Sequence, residues 1–166
     1  MTTEKKSWRK SRAELQRIVL PADTNVLIDL YGGRLVEWID NLAAIVAVKH
    51  ANGRAVTGSI DSLFFLSPIR MGDVVRMEGR VTYVTRSTME IEVNVFTDDP
   101  QTDETRFTTT AYLTYVAIDQ NGKPREIPGL LLENDEDRQM FKEGEARSKL
   151  RKENLKRVRE EHRNID

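Results

Sequence analysis

The chain has no cysteine, which excludes disulfides, thiolate nucleophiles and cysteine-ligated metals and fits a cytoplasmic setting. Histidine is nearly absent as well, with only His50 and His162. A Ser-His-Asp triad would therefore rest on His50, and no nucleophile-elbow motif supports one. No group of His, Asp and Glu falls at ligand spacing, so no metal is expected. His50 reads instead as a cation at a helix end. Nowhere do about 18 apolar residues run together, and residues 1–12 are polar and basic without an apolar core, so neither membrane spanning nor secretion is indicated. An excess of one charge is also lacking: 26 basic residues face 27 acidic ones, which argues against a general nucleic-acid binder. Gly32-Gly33 lacks the further glycines and the lysine of a nucleotide-phosphate loop. The chemistry left to this chain is that of carboxylates and amides.

A length of 166 residues supports one compact domain with an appendage. Leu35, Ile39, Leu42 and Val46 recur at helical spacing, and Ala43, Ala44 and Ala47 widen the apolar face almost around the cylinder, which predicts a helix buried on most sides. Asn52-Gly53 turns the chain after it. Strands are then predicted over Ala55–Leu66, Asp73–Val84, Thr88–Phe96 and Arg106–Ile118, with an earlier one near Glu14–Leu20. Val75, Met77 and Val81 interleave with Arg76 and Arg80, as Met89, Ile91, Val93 and Val95 do with Glu90, Glu92 and Asn94, so one sheet face is apolar. A curved antiparallel sheet around one long helix satisfies this order, an α+β fold. Such a sheet leaves an edge strand, which makes pairing between two copies plausible. From Leu132 onward the chain is charged and helix-favouring, acidic first at Glu133, Asp135, Glu136 and Asp137, then basic from Arg147 to Arg159. The order complements a helix dipole, and the apolar positions are too scattered for a coiled coil.

Asp40 is the leading candidate for chemistry, since it shares a core-bound helix with Val36, Ala43 and Ala44, where a buried carboxylate is costly. Periodicity alone equally allows it a wet edge beside Glu37 and Asn41. Asn25, ahead of the helix, reads by itself as a cap or turn former. Gly32 and Gly33 leave free N–H groups at the helix start.

Leu20-Pro-Ala-Asp-Thr-Asn25, Tyr31-Gly-Gly33, Ile39-Asp40, Val56-Thr-Gly-Ser59, Phe65, Pro68, Gly72-Asp73 and Ser87-Thr-Met89 together resemble the hotdog-fold acyl-CoA thioesterases, above all the cytosolic brain-type acyl-CoA hydrolases and their small bacterial relatives. The resemblance covers roughly residues 13 to 128. It implies a hotdog domain there, with 1–12 as a flexible N-terminal segment and 129–166 as a charged helical extension. It also implies a homo-oligomer whose minimal unit is a dimer, assembled as a trimer of dimers, acting on acyl-CoA without a cofactor beyond the coenzyme A of substrate and product.

By position, the resemblance assigns the catalytic acid to Asp40 and the active-site asparagine to Asn25 of the partner subunit, with backbone N–H groups at Gly32 and Gly33 stabilising an oxyanion. It brings coenzyme A near Ser59, Asp61, Arg86, Ser87 and Thr88, with Arg151 or Lys152 as further phosphate partners. Phe64 and Phe65 are expected in the core, one of them, Phe65 by preference, lining the acyl pocket. Many relatives carry a glycine between the asparagine and the paired glycines, whereas this chain reads Asn25-Val-Leu-Ile-Asp29. That departure fits either a reshaped acyl pocket or a non-catalytic module that binds acyl-CoA or a nucleotide. A hotdog dehydratase is disfavoured, because its helix would need a histidine.

Overall fold

A computed structural model describes residues 4–163. Its main sheet runs in the order β2-β4-β5-β6-β3 and is antiparallel throughout, with β2 at Ala13–Ile18, β3 at Ala55–Ile60, β4 at Val74–Val84, β5 at Thr88–Asp99 and β6 at Glu104–Ala117. Helix α2, Gly32–Ala51, lies against the concave face. The alternation read from the sequence explains the packing: Val75, Met77, Val81, Met89, Ile91, Val93, Leu113 and Tyr115 all turn inward onto Leu35, Ile39, Leu42, Ala43, Val46 and Ala47 of the helix. Burial of each larger side chain contributes about 2 kcal/mol before conformational entropy is counted. Gly79 permits the closest approach, since a Cβ there would stand 3.0 Å from Val46 Cγ2.

Strand β3 ends at Ile60 instead of running on to Leu66. Residues 61–66 leave the ladder, and Phe64 and Phe65 are 71% and 53% exposed, not core residues. Their apolar character does not fix their burial, because no strand among the described residues pairs beside them to cover them. Among the described residues β3 pairs only with β6, so its other edge is open.

Residues 4–12 carry ordered elements in place of the flexible segment expected from sequence; residues 1–3 lie outside the described range. Strand β1, Lys5–Lys6, pairs in parallel with β7, Gly129–Leu130, and α1, Trp8–Ser11, follows it. Lys6 Nζ donates to the Lys49 carbonyl at 2.6 Å and Arg125 Nη2 to that of Ala51 at 2.7 Å, so two cations satisfy the negative end of α2. Asn52 closes that helix in the left-handed region.

His50 is not the helix-end cation its position suggested. It is fully buried, with Nε2 3.2 Å from the Pro128 carbonyl oxygen and Nδ1 3.2 Å from the Ser11 hydroxyl. Burial lowers its pKa to about 4, so it is neutral at pH 7 and ties α1 and the chain at Pro128 to α2.

Helix α3, Asp135–His162, packs by its N-terminal half on the convex face of the sheet. Asn134 caps it, and Asp137 accepts from Trp8 Nε1 at 2.9 Å and from Arg9. Burial works to raise the Asp137 pKa, but donors from Arg9, Trp8 and the Glu133 amide outweigh it and hold the group at about 2. Further along, Phe141 meets Tyr83 with ring centroids 4.8 Å apart, and Arg147 and Arg151 close on Glu90. Beyond Arg151 the helix makes no hydrogen bond or ion pair outside itself among the described residues, and its side chains are exposed. No helix among the described residues is long and apolar enough to cross a membrane.

Candidate active site

Asp40 lies on α2 between its buried and open faces, and it is half-buried. Two hydroxyls donate to one of its carboxylate oxygens: Thr57 Oγ1 reaches Oδ1 at 2.9 Å and Tyr115 Oη reaches it at 2.7 Å. The Tyr115 hydroxyl also lies 2.9 Å from the Asp40 main-chain oxygen. Thr57 and Tyr115 are register partners across β3 and β6, which is why two residues far apart in sequence meet at one atom. Oδ2 accepts no hydrogen bond among the described residues. Burial, followed by the bond to Asp40, raises the Tyr115 phenol above its ordinary pKa. Thr57 lies within a motif that carried the resemblance but was given no role, and Tyr115 was missed outright, since a tyrosine at an inward strand position reads as core packing.

A little over two turns before Asp40, about 12 Å along the axis, α2 begins at Gly32. The N–H groups of Arg34 and Leu35 turn back to the Tyr31 carbonyl at 2.9 and 3.2 Å, leaving those of Gly32 and Gly33 without an acceptor among the described residues. A Cβ on Gly33 would stand 2.6 Å from the Tyr31 ring, and one on Gly32 would stand 3.4 Å from that of Phe65. Small residues here keep the amides uncovered at the positive end of a helix.

Asn25 opens a tight loop. Its Oδ1 accepts from the Leu27 amide at 2.9 Å and the Asp29 amide at 3.3 Å, the Asx turn its residue type foretold, while Nδ2 has no partner among the described residues. Ile28 sits at φ 65°, a region that β-branched residues rarely enter. Val26, Leu27 and Ile28 point outward, Val26 being 97% exposed. No hydrogen bond joins Asn25 to Asp40 within one chain.

The residues assigned to coenzyme A fall in two places. Ser59 and Asp61 lie at the far end of β3, whereas Thr88 is level with Val116 and Val56 near its start. Asp61 is ion-paired with Arg151 at 2.8 Å, so these two are each other's partners within one chain. Arg86 is largely exposed and stands 3.7 Å from Glu126. The Ser87 carbonyl accepts from Ala117, and Thr88 meets the Thr85 hydroxyl at 2.7 Å. Among the described residues no group of three or more His, Cys, Asp or Glu could hold a metal.

A half-buried carboxylate on a sheet-wrapped helix that begins at uncovered glycine amides marks the hotdog thioesterase class, and the chain belongs to the thioesterase superfamily, whose model matches residues 29–104. Among curated relatives, an uncharacterized acyl-CoA thioester hydrolase of Bacillus subtilis is 38% identical over 91% of this chain and 88% of its own. The mouse cytosolic acyl coenzyme A thioester hydrolase is 35% identical over 82% of this chain, which spans only 36% of that longer protein. Among solved structures, a hexameric acyl-CoA thioesterase superposes with a TM-score of 0.87 at 38% identity, covering 92% of this chain and 97% of that one. The Staphylococcus aureus acyl-CoA hydrolase bound to butyryl coenzyme A and coenzyme A superposes with a TM-score of 0.89 at 35% identity, covering 96% and 98%. That enzyme has also been solved with single alanine replacements of an asparagine, an aspartate and a threonine.

Proposed function

We propose that this protein hydrolyses acyl-CoA thioesters to free acid and coenzyme A, with Asp40 as the essential acid. The observation that carries the reading is a half-buried carboxylate held at Oδ1 by Thr57 and Tyr115 while Oδ2 stays open. The names of the relatives support it, and so does spacing. The asparagine, aspartate and threonine replaced in the Staphylococcus aureus enzyme are separated by 15 and 17 residues, as Asn25, Asp40 and Thr57 are here.

In one route Asp40 takes a proton from water as the water oxygen bonds to the thioester carbonyl carbon. The C–S bond then breaks and the departing thiolate recovers the proton. In the other, the carboxylate attacks that carbon, expels the thiolate and forms an anhydride that water hydrolyses. Both routes place negative charge on the carbonyl oxygen, which the N–H groups of Gly32 and Gly33 from a second copy would receive, those of the same chain being about 12 Å from Asp40 along the helix. The Nδ2 of Asn25 from a second copy would orient the water or the carbonyl, its Oδ1 being already engaged in its own loop.

Two copies joined along the open edge of β3 form the minimal unit, with three such dimers in the assembly; the hexameric relative supports this. The cytosolic relative supports a cytoplasmic location. Thiol release is read with a thiol-reactive dye on short, medium and long acyl-CoA, and the cysteine-free chain keeps the background low. Asp40→Asn is expected to lower kcat at least a hundredfold with the fold intact. Undiminished turnover in that variant would refute the assignment, and no turnover by the parent on any chain length would leave a non-catalytic acyl-CoA or nucleotide-binding module.

A further inference from the structure

We infer that Tyr115 is the positioning residue of this site: it holds one oxygen of the Asp40 carboxylate, Oδ1 in this structure, so that the other stays open and meets the substrate. The inference rests on Asp40 being the essential acid.

Tyr115 is 1% exposed and heads the fully buried side chains by volume. Apolar packing alone would be served by phenylalanine, and a buried phenol without a partner is costly. This hydroxyl crosses from β6 to α2 and lies 2.7 Å from Asp40 Oδ1 and 2.9 Å from the Asp40 main-chain oxygen. Its single proton serves the shorter contact, to Oδ1, and the main-chain oxygen beside it keeps the phenol seated against the helix, so turning the carboxylate breaks that bond. Thr57 adds a second donor to the same oxygen. Any orientation between the two equivalent half turns of the carboxylate would lose both bonds, one of them inside the core.

The asymmetry has a chemical use. A donor on the reacting oxygen would hold its lone pair in the ground state, whereas donors on the other oxygen aim the carboxylate and leave the working lone pairs free. With the phenol's pKa raised by burial, Tyr115 remains protonated over the range in which a carboxylate base operates. It is a standing donor rather than a proton carrier.

Tyr115→Phe removes one oxygen and keeps the ring. Because the substrate does not touch Tyr115, kcat is expected to fall ten- to a hundredfold with KM within twofold. In the Asp40→Asn background the same change should add less than a twofold loss, since there is no longer a carboxylate to aim. Thermal unfolding establishes that each variant is folded. If Tyr115→Phe does not fold, Thr57→Val on the exposed strand tests the same anchoring of Oδ1, and it too should lower kcat at constant KM. A folded Tyr115→Phe enzyme with parental kcat overturns the inference while leaving Asp40 in place. So does a loss of equal size in the Asp40→Asn background, or a Thr57→Val enzyme with parental kcat should it be needed. Parental activity in Asp40→Asn removes the functional reading and this one with it.

Discussion

Replacing Arg147 and Arg151 together by methionine should cost about 3–5 kcal/mol of stability, because it strands a buried charge. Glu90 points to the convex face of the sheet and is 1% exposed beneath α3. Arg147 Nη2 reaches it at 2.8 Å, Arg151 Nη2 at 2.6 Å and the Thr82 hydroxyl at 2.6 Å. Methionine keeps the apolar stems that cover the strands and removes both guanidinium groups, leaving the carboxylate one neutral donor. Asp61 also loses its partner, but it is a quarter exposed and adds at most about 1 kcal/mol. Adding Glu90→Met to the double variant removes the stranded charge and should recover most of the loss. Urea unfolding followed by circular dichroism tests this at a fixed protein concentration, because assembly contributes to stability. With a slope of about 2 kcal/mol per molar urea, the double variant should unfold about 1.5–2.5 M earlier than the parent. A midpoint within about 0.5 M of the parent, or a triple variant no more stable than the double, would refute the reasoning.

Ile28→Gly should stabilise the protein. Glycine occupies the left-handed region without the steric cost of about 1–2 kcal/mol that a side chain carries there, the added freedom of the unfolded chain offsets about 0.5–1 of that, and the side chain, 58% exposed, gives up little burial. The net of about 0.5–1 kcal/mol raises the Tm by about 1–4 °C, and a lower Tm would show that Ile28 carries no strain. His50 predicts a pH dependence. It is neutral when folded, with a pKa of about 4, but titrates near 6.5 when unfolded. Its contribution is therefore intact above about pH 6.5 and is lost progressively toward pH 4, amounting to about 3 kcal/mol. Urea midpoints at pH 7 and pH 4.5 should differ more in the parent than in His50→Gln, and equal differences would exclude a buried neutral histidine.

Sheet and helix were legible because they rest on periods. Alternation along β4 and β5 gives the face that meets α2, and the nearly all-round apolar pattern of residues 35–47 gives a helix that must be wrapped. Asp40 stood out as an acid on such a helix, and Asn25 as an Asx residue before one. Ends were less legible: the pattern ran β3 on to Leu66, because Phe64, Phe65 and Leu66 are apolar whether or not a neighbouring strand covers them. Lys5–Lys6 escaped notice because a two-residue strand has no period.

Neighbours lie beyond any such reading. Glu90 alternates with Met89 and Ile91 and so reads as water-facing, yet α3 buries it. Tyr115 reads as packing, yet it reaches Asp40 across 75 positions of sequence, as Thr57 does across 17. The sequence by itself determined the long helix and the main strands, the inward faces of β4 and β5, and the exclusion of thiol chemistry, since these follow from residue type and local spacing. Only the tertiary structure decided that one oxygen of Asp40 is held while the other stays open, that His50 is neutral, and that Asp61 pairs with Arg151. Each of these depends on desolvation and on atoms meeting within about 3 Å, and those meetings arise from strand register and helix docking, which no local pattern encodes.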